Sequence, residues 1–388
     1  MRLKVTFVLF LVFSTLSVPT SQAATKAGSP CKVLNATVSS GGFQFKCVKS
    51  GKKLVWSKGK KLKIKSPDIT VSSLPAVTPN SKPGTVPVVL VPTRPTSFSD
   101  LVEKSKGMTY WAWKIAQERK ASRGTNPVDF VIHVGPNTKM IVNDPRAILE
   151  MTSGFFPNFP QAKTAHVVFF DYPDVAWAQE LDQQLSARPR PREISDSCNS
   201  ASLCNGGNAY VDPKGVGFSY ISASSTNKDT FQSFGPVVSH EYFHNLQMYP
   251  LEVEKVKGAP VVYMPDWFRE GSAHWFSVSL LNEDYELVLD YQKSNAEVDL
   301  YQTHFTASQV SRVLSVNDGR SDNGWLAYNV GSKAIEALVL IKGIDSILEM
   351  YVEGSRGASF ESAFQKIYGV SWNEAKPILS EAISRIYQ

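Results

Sequence analysis

The spacing of apolar residues predicts strands in the first part of the main body of the chain and helices in the second. Short apolar runs typical of buried strands occur at residues 128–134, 166–170, 209–211 and 217–221. Beyond Phe234 the apolar residues recur at helical spacing almost to the end of the chain. Strands followed by helices predict an α+β body with a mixed β-sheet lobe and a helical lobe.

Helical spacing also occurs between the predicted strands. It covers residues 98–120, 147–155 and 175–186. The segment 187–207 is rich in Pro, Arg, Ser and Asn and has no helical or strand period, so we expect an irregular loop there.

The first 95 residues have a different organisation. Residues 1–23 combine a basic start, an apolar run and a small-residue cleavage site, which predicts a secretory signal peptide. Residues 25–66 predict a small β module, with two short strands around a Gly-Lys turn. Seven prolines in residues 67–95 predict a semi-extended linker. Residues 96–388 form the main domain, and we expect a secreted protein, extracellular or associated with the cell wall, with no transmembrane span.

Charge sets the N-terminal module apart. Residues 24–66 contain 11 lysines and no acidic residue, whereas the net charge of the whole chain is only +6. The run CVKSGKKLVWSK resembles a short module found near the N-termini of exported actinobacterial proteins. A lysine-rich surface would attract anionic cell-wall polymers, phospholipid or nucleic acid, although a solvated charge run is an equal alternative. Export argues against nucleic acid as the partner.

The four cysteines form two local pairs, Cys31 with Cys47 and Cys198 with Cys204. In an exported protein this arrangement predicts two short-loop disulfides. One would hold the small N-terminal module together, because so short a unit buries little apolar surface. Free thiols or metal ligation are the alternatives, and neither pair has CxxC spacing.

Candidate chemistry is concentrated in the segment VVSHEYFHN. On a helix, His240 and His244 lie on one face, so both imidazoles can reach a single zinc ion. Glu241 follows the first histidine and could act as a base without ligating the metal. Gly235 and Pro236 are suited to the start of this helix, and Pro250 is expected to end it. The alternative is that all three are ordinary residues of a buried helix.

A metal site needs a third protein ligand, and the nearest residues do not supply one. Gln247 and Pro250 occupy the positions at which a longer three-histidine motif would have glycine and histidine. Glu252 and Glu254 lie in a segment that indicates an exposed turn.

Glu270 is the better candidate, within the segment PDWFREGSAHWF. Asp266 is expected to cap this helix, whose following face is dense with aromatic and aliphatic residues. A glutamate in such surroundings is costly to bury unless it is paired or ligates a metal. We therefore predict Glu270 as the third ligand, with a salt bridge to a nearby Arg or Lys as the alternative.

The segment HEYFH followed by PDWFREGSAHW resembles the gluzincin-type zinc metallopeptidases of the thermolysin-like superfamily. Members bind zinc through HExxH and a downstream glutamate in a W-x-x-E-G-x-A helix. The resemblance implies a zincin-like domain with one Zn²⁺ held by His240, His244 and Glu270. It implies hydrolysis of peptide bonds by an activated water, with Glu241 as general base. It also matches an edge strand that pairs with the substrate backbone, represented here by Asn208, Ala209 and Tyr210.

Other polar residues have candidate roles near the metal. The resemblance suggests Tyr328 as the donor to the oxyanion, although a packing role is nearly as plausible. Tyr263 and His304 are weaker candidates for the same role. His274, one turn after Glu270, stands where an acidic residue is familiar, so it either orients a ligand or is a polar residue of the helix.

Two departures keep the subfamily open. The gap of 25 residues between His244 and Glu270 is longer than in the thermolysin and aminopeptidase branches, and no GAMEN-type segment precedes the first helix.

Two alternatives to a secreted peptidase also stay open. One is an envelope-bound binding protein with a peptidase-like scaffold, and the other is a zinc amidase that acts on cell-wall peptides.

Overall fold

A computed structural model describes most of the chain after residue 90 and short parts before it. The described residues are 28–30, 37–40, 43–51, 53–58, 60–61, 91–125, 128–140, 142–204, 206–222, 235–260, 262, 264–289, 305–315 and 325–387. Two compact units, Met1–Val86 and Pro87–Gln388, divide within the predicted linker. The predicted signal peptide lies outside the described residues. Among the residues that are described, no helix has the length and apolar character needed to cross a membrane.

The N-terminal unit is a small antiparallel sheet. Its strands are β1 (Thr37–Ser40), β2 (Phe43–Ser50), β3 (Lys53–Trp56) and β4 (Lys60–Lys61). β2 and β3 form the predicted hairpin, and Gly51 takes a positive φ of 60° in its turn, which glycine adopts without strain. Cys47 is buried and disulfide-bonded. Cys31 lies outside the described residues, so its pairing with Cys47 stays a prediction.

The first half of the larger unit contains a four-stranded mixed sheet, as predicted. Its strands are β5 (Asp129–Val134), β6 (Thr164–Phe170), β7 (Gly207–Val211) and β8 (Gly217–Ser222). The order is β5-β6-β8-β7, in which β5, β6 and β8 are parallel and β7 runs antiparallel to β8. β7 is thus an end strand of this sheet.

Helices precede, connect and follow these strands. The first group is α1 (Phe98–Leu101), α2 (Met108–Ala121), α3 (Pro145–Phe155), α4 (Val175–Leu185) and α5 (Pro191–Ser197). The second group is α6 (Pro236–Glu252), α7 (Asp266–Leu281), α8 (Ala307–Val313), α9 (Trp325–Lys342), α10 (Asp345–Ser355), α11 (Phe360–Tyr368) and α12 (Trp372–Ile386). The observed class is therefore α+β, with the helical part after the sheet.

Two predictions about the first group of helices were wrong. The predicted helix over 98–120 is broken by the 3-10 turn Ser105–Gly107, where the backbone of Gly107 packs against the carbonyl of Thr93. The predicted loop 187–207 contains α5, because Pro191 fixes the φ angle required in a first helical turn. The Cys198–Cys204 disulfide that follows is present, as predicted.

Two predictions about helix ends in the second group were also wrong. α6 continues two residues beyond Pro250, since the proline lies in the last turn, where few backbone bonds depend on it. Pro265, rather than Asp266, is the N-cap of α7. Asp266 is the first helical residue, and its carboxylate pairs with Arg269.

Both faces of the mixed sheet are buried. Along β6, Val167 and Phe169 join the main core with the helices, whereas Val168 and Phe170 join a smaller core under α4 and α5. Burial on both faces explains why the sequence of β6 is a nearly continuous apolar run rather than an alternating one.

Helices α7 and α9 cross with their backbones in contact. A Cβ atom at Gly271 would lie 2.4 Å from the carbonyl carbon of Gly331, and one at Gly331 would lie 2.3 Å from the carbonyl oxygen of Trp267. Only glycine permits such close approach. The crossing brings Tyr328 of α9 to the side of α7 that carries Glu270.

Candidate metal centre

Polar contacts with the sheet and with α3 fix the rotation of α6. Asn245 Nδ2 donates to Ser219 Oγ at 2.8 Å and to the carbonyl of Phe218 at 3.2 Å, both on β8. On the side facing α3, the hydroxyls of Ser239 and Thr152 are 3.0 Å apart. Because these groups are buried, turning the helix would leave them without partners. The fixed rotation points His240 and His244 towards α7.

The structure brings together the three predicted ligand groups. His240 Nε2 and His244 Nε2 are 3.1 Å apart and lie 3.3 Å and 3.2 Å from Glu270 Oε2. The three ligand atoms lie within 4.8 Å of one another, and among the described residues theirs is the group that could hold a metal ion.

Gln247 determines which nitrogen of His244 faces the cluster. Its side-chain amide donates to the carbonyl of Arg269 at 3.0 Å and to Ser272 Oγ at 2.8 Å, which leaves its oxygen to accept from His244 Nδ1 at 2.7 Å. The proton of neutral His244 is therefore on Nδ1, and the lone pair is on Nε2. A hydrogen bond of this kind is the usual support of a metal-binding histidine.

This arrangement fits a cation. Glu270 Oε2 is buried and has no hydrogen-bond partner, yet it faces an unprotonated Nε2. Two acceptors at this distance repel unless a positive charge lies between them. One source is a second proton on His244: burial lowers the pKa of this histidine, but the charge and hydrogen bond of Glu270, together with the charge of Glu241, raise it overall. The other source is a metal ion, for which the two nitrogens and one carboxylate oxygen are suitable ligands.

Glu270 uses its two oxygens differently. Oε1 pairs with Arg269 Nη2 at 2.9 Å, and Oε2 faces the histidines. Burial alone would raise the pKa of Glu270, but the charges of His244 and Arg269 hold it well below its usual value. The carboxylate is therefore ionised. Glu270 therefore lies in the position predicted for the third ligand and also forms the salt bridge that was its alternative.

Glu241 is buried beside the cluster and beside the start of β7. Burial raises its pKa to about 7, against partial compensation by His244. A Cβ atom at residue 207 would lie 2.1 Å from Glu241 Oε1, so Gly207 leaves the space that this carboxylate fills. The end strand of the sheet and the carboxylate of the HExxH motif are thus in direct contact.

Tyr328 and His274 both lie next to His240. The sequence predicted a position near the metal for both residues. The Tyr328 ring stacks on His240 with centroids 5.7 Å apart, and His274 meets His240 edge-on at 6.5 Å. Burial and the charges of Glu270 and Glu241 raise the pKa of Tyr328 well above 10, so its hydroxyl keeps its proton. Burial and the nearby His240 lower the pKa of His274 to about 3, so it is neutral.

The three predicted substrate-strand residues differ in their surroundings. Asn208 Nδ2 donates to Glu193 at 2.9 Å, and the hydroxyl of Tyr210 donates to buried Asp182. Ala209 lines a cavity of about 590 Å³ that β7 shares with the last turns of α6 and with α10. Tyr210 also borders this cavity, although its ring packs in the smaller core.

Some predicted residues cannot be placed, and two residues at the site were not predicted. Tyr263 and His304 lie outside the described residues. Gln247 was missed, although its position three residues after His244 is a helical spacing that predicts contact. Gly207 was missed because its contact with Glu241 depends on how the sheet meets α6.

Comparisons with protein-family models, with curated proteins and with solved structures find no match to this chain. The conclusions about the site therefore depend on its own geometry. That geometry defines an α+β protein with a candidate metal-binding triad of two histidines and one glutamate, next to a buried carboxylate.

Proposed function

We propose that this chain is a zinc-dependent peptidase of the gluzincin type, with a zincin-like main domain. The observation that carries the proposal is the convergence of His240 Nε2, His244 Nε2 and the buried Glu270 Oε2, beside the buried Glu241. A salt bridge between Arg269 and Glu270 Oε1 would not by itself account for two imidazole nitrogens facing the other carboxylate oxygen. A metal ion would satisfy all three atoms at once.

Zinc is the ion that these ligands favour. Two imidazole nitrogens and one carboxylate oxygen form a common catalytic zinc set, which leaves one position open. Sites for Mg²⁺ or Ca²⁺ use mainly oxygen ligands. The proposed cofactor is therefore one Zn²⁺, held by His240, His244 and Glu270.

The residues around the triad can divide the work of amide hydrolysis. When bound, zinc supplies Lewis acidity, which lowers the pKa of water and polarises a carbonyl group. Glu241 accepts the proton from the attacking water and passes it to the leaving amine. Gly207 keeps open the space that this carboxylate occupies. Gln247 holds His244 in the tautomer that presents Nε2.

Tyr328 is the proposed donor to the developing oxyanion. Its phenol stays protonated and lies beside His240, on the helix that crosses α7. A protonated donor fixed before the reaction stabilises charge that appears only in the transition state. His274, which is neutral, contacts the rings of His240 and Tyr328 and is proposed to hold these two side chains in their orientations.

Zinc content and peptide hydrolysis test this proposal together. Full-length protein should contain one zinc ion per chain and cleave casein. Glu241→Gln should keep the zinc and lose hydrolysis by at least about 100-fold, as removal of a general base does. Glu270→Gln should lose zinc, whereas Glu180→Gln, an exposed carboxylate on α4, should change neither quantity.

Each outcome separates the proposal from its alternatives. Absence of stoichiometric zinc would contradict a zinc enzyme and would favour a binding protein with this scaffold. Zinc without hydrolysis of any protein or peptide would favour an amidase that acts on cell-wall peptides.

We further propose that the chain is exported and that the basic module binds anionic cell-wall polymers. A pull-down with purified cell wall at increasing salt concentration would test the binding.

A further inference from the structure

The cavity between β7 and the end of α6 lies next to the candidate metal centre. Arg269, whose guanidinium contacts Glu270, forms part of its wall, and Met248 lies one helical turn beyond His244. One turn of helix advances about 5.4 Å, which is between one and two residues of an extended peptide at about 3.3 Å per residue. A peptide aligned with β7 would therefore place a residue close to the scissile bond in this cavity.

The charged residues that line the cavity are mostly basic. Arg188, Arg190, Lys255 and Arg269 line it, against Glu252 as the single acidic residue of the described lining. The rest of the wall is largely apolar, with Met248, Leu251, Val262, Met264 and Tyr351. An apolar wall reduces solvent screening, so a carboxylate held there would interact more strongly with arginine than it would at an open surface.

Two of these arginines keep donors for a ligand. Arg188 uses Nη2 to contact Glu252 at 2.8 Å, and Arg190 uses Nη1 to contact Glu193 at 3.3 Å. A guanidinium has five N–H donors in a fixed plane, so each retains several after these contacts. The Arg190 guanidinium is also fixed by the ring of Tyr210, whose centroid is 4.7 Å away. The donors are therefore already in place before a ligand binds.

From this geometry we infer that the cavity binds a carboxylate of the peptide substrate, supplied by an Asp or Glu side chain close to the scissile bond. The inference rests on the proposed peptidase function and adds a substrate class to it. Arg188 and Arg190 would bind the carboxylate, and Met248 and Leu251 would contact the apolar part of the same peptide segment. A C-terminal carboxylate has the same chemistry, so the experiment includes an arm that distinguishes the two sources.

Peptide cleavage by zinc-loaded, full-length protein tests the inference. A mixed peptide library, with cleavage sites read by mass spectrometry, should show Asp and Glu enriched at one position near the cut. For a matched pair of peptides with Glu or Ala at that position, the ratio of kcat/KM should fall about 10- to 100-fold in the Arg188→Gln/Arg190→Gln double variant, as expected for lost charge-assisted hydrogen bonds. Arg188→Glu/Arg190→Glu should shift the preference towards Lys and Arg.

Controls separate recognition from folding. Arg192→Gln changes an arginine whose side chain is 91% exposed and which pairs with Asp196, outside the cavity, so it should leave the ratio unchanged. Amidated peptides should keep the preference, and its loss on amidation would identify the C-terminal carboxylate as the ligand. A library without acidic enrichment, or an equal loss for the Glu and Ala peptides in the double variant, would overturn the inference.

A binding arm keeps this inference distinct from the proposed function. If zinc-loaded protein cleaves no peptide, the peptidase proposal fails. Binding of the Glu and Ala peptides to the Glu241→Gln protein, measured by calorimetry, then decides the carboxylate inference. Tighter binding of the Glu peptide, lost in the double arginine variant, would support it, and equal binding of the two peptides would overturn it.

Discussion

Replacing Gln247 by Leu tests the link between α6 and α7 at the metal centre. Gln247 is fully buried and joins His244 to the backbone of Arg269. Leucine has a similar volume, so the change removes hydrogen bonds without opening a large cavity. His244 Nδ1 loses its partner, whereas the carbonyl of Arg269 still accepts from Ser272 Oγ at 3.1 Å, and Ser272 Oγ keeps its bond to the carbonyl of Phe268 at 2.6 Å.

The expected loss follows from the Nδ1 of His244. A buried polar group without a partner costs about 1–3 kcal/mol, so the variant should lower the free energy of unfolding by about that amount. The orientation of His244 is lost as well. Removing a support of this kind typically weakens metal affinity by about 10- to 100-fold.

Two measurements check this prediction on the full-length protein. Urea unfolding in the presence of EDTA gives the stability of the metal-free chain, and competition with a chromophoric chelator gives the zinc affinity. Gln183→Leu, at an exposed position on α4, is the matched control and should change neither. Zinc affinity within about threefold of the parent, together with unfolding within about 0.5 kcal/mol, would refute the role assigned to Gln247.

Three further predictions concern packing and charge away from Gln247. Lys333→Met removes the positive charge that pairs with Glu336, which is 0% exposed, although the hydroxyl of Thr109 still donates to this carboxylate at 2.8 Å. The change should lower the free energy of unfolding by about 3–5 kcal/mol in urea titrations. Adding Glu336→Leu should restore most of this loss, and an equal loss in the double variant would speak against a buried ion pair. Gly271→Ala pushes a methyl group into the backbone of α9 and should cost at least about 1–3 kcal/mol and reduce zinc content, so an unchanged melting temperature would disprove the close crossing. Burial would raise the pKa of Glu353, but its contacts with Lys366 and Arg356 together lower the pKa below 4.5. Its stabilising effect is therefore present above about pH 4.5 and is lost as the pH falls, so Glu353→Gln should lower stability at pH 7 and flatten the acid side of the stability curve, and a parallel curve would contradict this.

The sequence predicted the class of fold and the order of its parts because burial leaves a periodic pattern. It failed at particular helix ends, where local contacts decide. The break at Gly107 depends on a carbonyl from Thr93, and the continuation beyond Pro250 depends on how few backbone bonds remain in that turn. Such local contacts leave no periodic pattern in a single sequence, so they could not be predicted.

The candidate site was predicted to a similar extent. Its three ligand groups were found because helical spacing and the cost of burying a glutamate both point to a metal. The support of His244 by Gln247 and the contact of Gly207 with Glu241 were not found, since each depends on the meeting of two elements. The hydrogen bond from the Asn208 amide to Glu193 was also not predicted, because a strand pattern does not show which side chain a neighbouring helix brings close.

The contact between Gly271 and Gly331 has a consequence for motion at the site. Side chains between two helices can change rotamer and let the helices slide, but backbones in contact have no such freedom. α7 and α9 therefore act as one rigid body, and the separation between Glu270 and the phenol of Tyr328 is set when the chain folds. Opening or closing around a ligand is therefore expected outside this helix pair, for example at β7, whose Gly207 lies against Glu241.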